Sequence, residues 1–174
     1  MQKNKGFTLI ELMVTIAVLA IIAMMAAPFF GDLVAKRKLD TATRELSFIL
    51  SDARAKASTI RANVTLKFQP GQSVPNLIYW VPDTPDIKLD DSNNDVGFSD
   101  VIFTPIGQPL QRVKMINNPA YDDSIPDDPD TNPPQIEEKL PLKFTLCHTK
   151  IKKSKTIELS MNGTVFNIQE GACT

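Results

Sequence analysis

Apolar residues form one long uninterrupted run near the start of the chain. Residues 12–30 contain no charged side chain, and Thr15 carries their only polar side chain. As an α-helix, a segment of this length spans about 28 Å, which is enough to cross the hydrocarbon core of a bilayer. The pattern therefore predicts a membrane-spanning helix.

The helical period continues after this run, but on one face only. Apolar side chains recur at steps of mostly three or four residues, and charged side chains occupy the other faces. The apolar positions are Leu33, Val34, Leu39, Ala42, Leu46, Ile49, Leu50, Ala53 and Ala57. We expect one helix over residues 7–58 whose second half packs on a domain, with Pro28 and Gly31 as points where it kinks or unwinds.

After Ile60 the helical period gives way to short alternating runs rich in β-branched and aromatic residues, a pattern typical of strands. It predicts strands at residues 63–69, 76–81, 101–104, 109–116, 142–148, 156–160 and 164–168. Asn162-Gly163 is the strongest hairpin signal in the chain. The prediction is an α+β fold, with a long N-terminal hydrophobic and amphipathic helix packed on an antiparallel β-sheet domain.

Charge is unevenly distributed, although the formal net charge is only -1. Residues 83–138 carry thirteen acidic and three basic side chains, whereas residues 139–155 carry six lysines and no acid. Two polar stretches, 83–100 and 117–138, show no periodicity. We expect surface loops there, the longer one mobile.

Basic residues before the apolar run set the orientation. Lys3 and Lys5 are predicted to stay cytoplasmic, so the rest of the chain lies outside the cytoplasm. An ordinary secretory signal fits poorly, because cleavage after Ala27 would leave Pro28 beyond the cut and Met25 at a position that needs a small residue. An uncleaved anchor is the other alternative.

One motif distinguishes a further hypothesis from both the secretory signal and the uncleaved anchor. The segment Gly6-Phe7-Thr8-Leu9-Ile10-Glu11 puts a glycine before the apolar run and one carboxylate inside it. In this the sequence resembles the type IV pilin superfamily. The resemblance implies that prepilin peptidase cuts between Gly6 and Phe7, that Phe7 becomes N-methylated, and that Glu11 directs assembly with other pilin subunits.

The chemistry of Glu11 agrees with this role. A carboxylate near the start of a membrane helix costs about 2 to 3 kcal/mol, so it needs a partner. Cleavage after Gly6 creates an ammonium group on Phe7, which can neutralise Glu11 of a neighbouring subunit. The alternative is that lipid headgroups solvate Glu11 in the monomer.

The C-terminal half also resembles the FimT/GspH group of minor pilins and pseudopilins. The matching stretches are residues 102–107, 143–147 and 157–163, followed by Cys173. The resemblance implies a minor pilin of a type IV pilus, with roles in pilus biogenesis, twitching and competence. A GspH-like pseudopilin of a type II secretion system is the alternative. The chain would be a single-pass inner-membrane protein with a periplasmic domain, exposed at the cell surface when assembled.

This reading divides the chain into four parts. They are a leader at 1–6, a transmembrane and assembly helix at 7–30, an amphipathic helix at 31–60 and a β domain with acidic, proline-rich loops at 61–174.

Cys147 and Cys173 would lie outside the cytoplasm, where we expect a disulfide rather than two buried free thiols.

Catalytic signatures are absent from the sequence. His148, the only histidine, follows Cys147 on a predicted strand, where adjacent side chains point to opposite faces. No nucleophile elbow, phosphate-binding glycine loop or zinc spacing occurs. We therefore expect no enzyme activity, and a membrane-anchored enzyme is the weakest alternative.

Two loops are candidate binding sites. Some FimT proteins bind DNA through a Gly-Arg-x-Arg signature, which this chain lacks after Gly163. A lysine cluster that could contact phosphates instead contains Lys150, Lys152, Lys153 and Lys155. An oxygen-rich loop with Asp91, Asn93 and Asp95 is a candidate calcium site, although it lacks the glycine and closing glutamate of an EF-hand. A solvated turn is the alternative for each, and no other cofactor is expected.

Overall fold

A single long helix leads into the domain. The computed structural model describes residues 7–90 and 99–173, without the side chains of residues 25–29. Helix α1 spans Leu9–Ile60 and is continuous through Pro28 and Gly31. It ends where Arg61 adopts the left-handed conformation, with φ 52°. The predicted helix is confirmed, but the predicted unwinding at Pro28 and Gly31 does not occur.

Within the described ranges, nine strands follow the helix. They are β1 Val64–Lys67, β2 Leu77–Tyr79, β3 Ile87–Leu89, β4 Asp100–Phe103, β5 Val113–Asn117, β6 Gln135–Lys139, β7 Leu142–His148, β8 Lys153–Leu159 and β9 Val165–Ala172. The sequence predicted seven of these segments. It missed β3, whose three residues are too few to show a period, and β6, whose residues are mostly polar and show little of the alternation that marks a strand.

The strands form three sheets. A three-stranded sheet has the order β2-β1-β4, a four-stranded sheet the order β3-β7-β8-β9, and β5 pairs with β6 alone. Every pairing is antiparallel except that of β1 with β2, which is parallel. An α-helix packed on mainly antiparallel sheets confirms the α+β class.

The core lies between α1 and the two larger sheets. From Leu39 onward the predicted apolar stripe of the helix is buried except at Ile49, which is half-buried, and Leu46 and Leu50 are fully buried. Phe103 and Phe144 fill the space opposite them. Leu33 and Val34 belong to the same stripe in the sequence, but both are exposed, so packing on the domain begins nearer Leu39 than residue 31.

A tight hairpin joins β8 to β9 beside the C-terminal part of α1. Gly163 has a φ of 78°, as the predicted Asn162-Gly163 turn requires, and its amide donates to the Ser160 carbonyl. A side chain at Gly163 would collide with the backbone of Gly107, whose carbonyl accepts a hydrogen bond from Nε of Arg54 at 3.2 Å. Glycine is therefore required both for the turn and for this close approach.

Much of the predicted loop at residues 117–138 belongs to a two-stranded arm made by β5 and β6. Its tip is organised by Asn132, which is only 4% exposed. The amide of that side chain donates to the Asp122 and Ile125 carbonyls and accepts from the Asp122 amide. The tip is therefore built from side-chain hydrogen bonds, which leave no periodic signal in a sequence.

Candidate functional site

The first turn of α1 is held by a capping box. Thr8 is the N-cap: its hydroxyl accepts from the Glu11 amide at 3.3 Å, and its own amide donates to the Glu11 carboxylate at 3.5 Å. Both residues and Phe7 are exposed. Gly6, the predicted cleavage position, lies outside the described residues. Glu11 is thus held beside the positive end of the helix dipole, with a long and replaceable hydrogen bond.

The helix surface on both sides of Glu11 is apolar and uncovered. Its large side chains are exposed by at least half from residue 9 to residue 24. They are Leu9, Ile10, Leu12, Met13, Val14, Ile16, Val18, Leu19, Ile21, Ile22 and Met24. The part of the chain that the structure describes contains no helix that is both long enough and apolar enough to span a membrane.

The expected disulfide is present. Cys147 on β7 and Cys173 just after β9 are bonded, with Cα atoms 5.6 Å apart. The link passes over the start of β8, where the Cys173 amide donates to the Lys152 carbonyl at 3.1 Å. It therefore fastens the end of the β8–β9 hairpin to β7.

The four lysines of the predicted phosphate-binding cluster lie at the same end of the sheet, but two of them have acidic partners. Lys150 Nζ lies 2.9 Å from Asp86 Oδ2. Lys155 Nζ lies 2.6 Å from Asp40 Oδ1 and 3.0 Å from Glu170 Oε1. These partners reduce the charge available for a phosphate.

The pKa values of Asp86 and Lys155 shift in the directions that their ion pairs favour. The hydrogen bond from Lys150 lowers the pKa of Asp86. The hydrogen bond to Asp40, followed by that to Glu170, raises the pKa of Lys155. Lys152 and Lys153 are exposed, and no acid within the described residues forms an ion pair with either.

These acidic partners were missed by sequence reasoning. In a hairpin without a bulge, Gln169 would face Lys155, but a bulge between Glu158 and Leu159 shifts the register and brings Glu170 opposite. The bulge is not apparent in the sequence. Asp40 is adjacent to the buried stripe of α1, but nothing in the sequence connects it with a strand far along the chain.

The calcium hypothesis is not addressed by the structure, because Asp91, Asn93 and Asp95 lie outside the described residues. Asp100, which follows that loop, forms an ion pair with Arg112. Among the residues that are described, no group of three or more histidine, cysteine or acidic side chains could hold a metal ion.

His148 and Cys147 do not form a catalytic pair. Cys147 is consumed by the disulfide, and His148 is 2% exposed on the core face of β7. Its Nδ1 atom has no hydrogen-bond partner within the described part of the chain. Burial on the core side agrees with the predicted opposite orientation of the two side chains.

Comparison with known proteins identifies the N-terminal segment. Residues 1–27 match the family described as the prokaryotic N-terminal methylation motif. The chain is 48% identical over 46 residues to the fimbrial protein EcpB of Eikenella corrodens, covering 26% of this chain and 29% of that protein. It is 41% identical over 64 residues to a fimbrial protein of Moraxella nonliquefaciens, covering 36% and 38% respectively.

A fimbrial protein of Pseudomonas aeruginosa is 38% identical over 55 residues, covering 32% of this chain and 36% of that protein. The alignments thus span about a third of the length of these relatives. No solved structure matches the chain.

Proposed function

We propose that this chain, which carries the N-terminal segment of a type IV prepilin, is a minor pilin of a type IV pilus. The observation that carries the proposal is the exposed Glu11, which lies within the prepilin motif at the start of a long, uncovered apolar helix surface. A surface of this kind needs a covering in water, and a helical array of similar subunits supplies one.

Assembly begins with cleavage by prepilin peptidase between Gly6 and Phe7, followed by N-methylation of Phe7. The new ammonium group of an incoming subunit then neutralises Glu11 of its neighbour. The geometry of the capping box supports this exchange. Thr8 holds the Glu11 carboxylate through one backbone hydrogen bond at 3.5 Å, which costs little to replace with a charged partner.

Before assembly the subunit is anchored in the inner membrane by one pass, with the domain in the periplasm, and it reaches the cell surface within the pilus. The disulfide between Cys147 and Cys173 supports an oxidising compartment for the domain.

The role within the fibre is structural rather than enzymatic. The matched relatives are fimbrial proteins. The FimT-like assignment rests on the sequence of the C-terminal half, and it would place the subunit in pilus priming, twitching or competence. DNA binding through the lysine cluster is not part of the proposal, because Lys150 and Lys155 are ion-paired.

The test replaces Glu11 in the producing organism and measures the fraction of the subunit in sheared surface fibres and in the membrane. We expect Glu11→Ala to lower incorporation by at least about tenfold while leaving the membrane pool intact, since one buried unpaired charge is worth that much. Glu137→Gln, which removes an exposed carboxylate on β6, is the matched control and should not change incorporation.

Normal incorporation of Glu11→Ala would contradict the assembly mechanism. A deletion strain distinguishes the pilus from the GspH-like alternative. Loss of surface pili and twitching with normal protein secretion would support a pilus subunit. Loss of secretion with normal pili would assign the chain to a type II secretion pseudopilus instead.

A further inference from the structure

Five exposed basic side chains surround the place where α1 enters the domain. Three are consecutive on the helix and two lie in the turn before or at the start of β8. We call them the basic collar, and they are Lys36, Arg37, Lys38, Lys152 and Lys153.

The two halves of the collar are adjacent in space. Lys36 and Lys153 line the same cavity of about 290 Å³ between the helix and the end of the sheet. On another side of the helix, Lys38 lies near enough to Asp86 to act on it electrostatically. Three consecutive helical residues point in directions about 100° apart, so the collar extends around much of the helix.

The acidic groups at this end of the domain do not neutralise the collar. Asp40 and Glu170 are engaged with Lys155, and Asp86 is engaged with Lys150. Asp32 is the remaining nearby acid on α1, and it is exposed. No ion pair joins a collar residue to an acid within the described parts of the chain. The end of the domain therefore carries a net positive charge.

Apart from Asp32, the exposed side chains of the helix just before the collar are mostly apolar. Phe30, Leu33 and Val34 are 68%, 46% and 37% exposed, because all three precede the part of the helix that packs on the domain. At about 1.5 Å per residue, Val34 and Lys36 are only about 3 Å apart along the helix axis. An apolar helix surface thus changes abruptly to a ring of cations, and only then does the domain begin.

We propose that the basic collar binds the phosphate groups of anionic phospholipids on the face of the membrane from which the helix emerges. This inference rests on the proposed membrane anchor. The arrangement matches a bilayer, because the apolar surface would end at the hydrocarbon boundary and the collar would lie at headgroup depth. The contact holds the domain against the membrane before assembly and must be released when the subunit enters a fibre.

The experiment uses the full chain reconstituted into vesicles of phosphatidylcholine, either alone or with roughly one-third phosphatidylglycerol. Lysines are acylated with a small amine-reactive reagent, and each site is quantified by mass spectrometry. Phosphatidylglycerol is expected to lower modification of Lys36, Lys38, Lys152 and Lys153 about fivefold at low salt, and high salt should restore it. Lys56 and Lys139 are exposed away from the collar and should react equally in both vesicles.

A paired variant tests whether the two halves act together. Lys152→Gln with Lys153→Gln should reduce the protection of Lys36 and Lys38 by phosphatidylglycerol. Lys56→Gln with Lys139→Gln removes the same charge elsewhere and should leave that protection unchanged. Retention of the chain by vesicles after an alkaline carbonate wash is measured separately and reports on the anchor.

The two measurements separate the collar from the anchor. Retention in both vesicles with equal lysine modification would overturn the collar inference and leave the anchor intact. Protection by phosphatidylglycerol without retention would uphold the collar and contradict the anchor, and loss of both would reject both. Protection that depends on protein density, or on added DNA rather than on lipid, would assign the collar to a neighbouring subunit or to nucleic acid and so overturn the inference.

Discussion

Removal of the disulfide tests how the end of the domain is stabilised. The bond between Cys147 and Cys173 joins residues 26 positions apart and encloses the whole β8–β9 hairpin. Closing a loop of that length removes chain entropy from the unfolded state worth about 3.5 kcal/mol. We therefore expect the double change Cys147→Ser and Cys173→Ser to lower the free energy of unfolding by about that amount and the Tm by roughly 7 to 14 °C.

Trp80 makes the measurement direct, because it is the only tryptophan and is 5% exposed in the core. Unfolding of the full chain in mild detergent is followed by its fluorescence as urea increases. Reduced wild-type protein should match the double variant. Reductant should not affect the double variant, which makes that treatment the control.

If the double variant lost less than about 1 kcal/mol of unfolding free energy, the chain-entropy argument would be refuted. It would mean that the hairpin end frays without unfolding the core, so that the disulfide constrains only the last residues. Faster amide exchange confined to β9, with an unchanged Trp80 transition, would identify that outcome.

Three further predictions concern the core, the arm and the outer face of the sheet. Leu50→Ala should lower the unfolding free energy by about 3 kcal/mol in the same assay. Phe48→Ala, at a position that is 71% exposed, is the control and should change it little. Equal effects of the two substitutions would contradict the described packing. Asn132→Ala should accelerate amide exchange at the arm tip at least tenfold without moving the Trp80 transition, since it removes three hydrogen bonds. The hydrogen bond from Lys143 lowers the pKa of Glu158 below its ordinary 4.5, so this carboxylate stabilises the fold above that pH and loses its effect as pH falls through the lowered value. Urea midpoints measured between about pH 5 and 3 should fall less steeply in Glu158→Gln than in wild type, and equal slopes would contradict the assignment.

Regular patterns in the sequence predicted the frame of the molecule. The buried stripe through Leu46 and Leu50 follows a helical period, and β7 alternates strictly between buried and half-buried positions. In both, burial of one face imposes a period on the residues, which is why the helix and this strand could be recognised. The turn at Gly163 was predictable for a different reason, because its backbone conformation requires glycine.

The parts that escaped prediction depend on contacts between distant segments. The parallel pairing of β1 with β2 is specified by how the segment between them folds back rather than by either strand's composition. The ion pairs of Lys155 require the bulge at Glu158 and the packing of α1 against β8. The exposed end of the helix was predicted correctly to be apolar. Leu33 and Val34 nevertheless show that an apolar stripe in the sequence does not reveal at which residue the helix begins to pack on the domain.

The continuity of α1 also fixes the direction in which the domain faces around the helix axis, relative to Glu11. Because the helix is unbroken from Leu9 to Ile60, the direction in which the domain faces is set by the number of residues between Glu11 and Leu39. One inserted residue in that interval would turn the domain by about 100° and raise it by about 1.5 Å. Seven inserted residues would restore the direction to within about 20° but displace the domain by about 10 Å. The length of this segment is therefore constrained even where its side chains contact nothing in the domain.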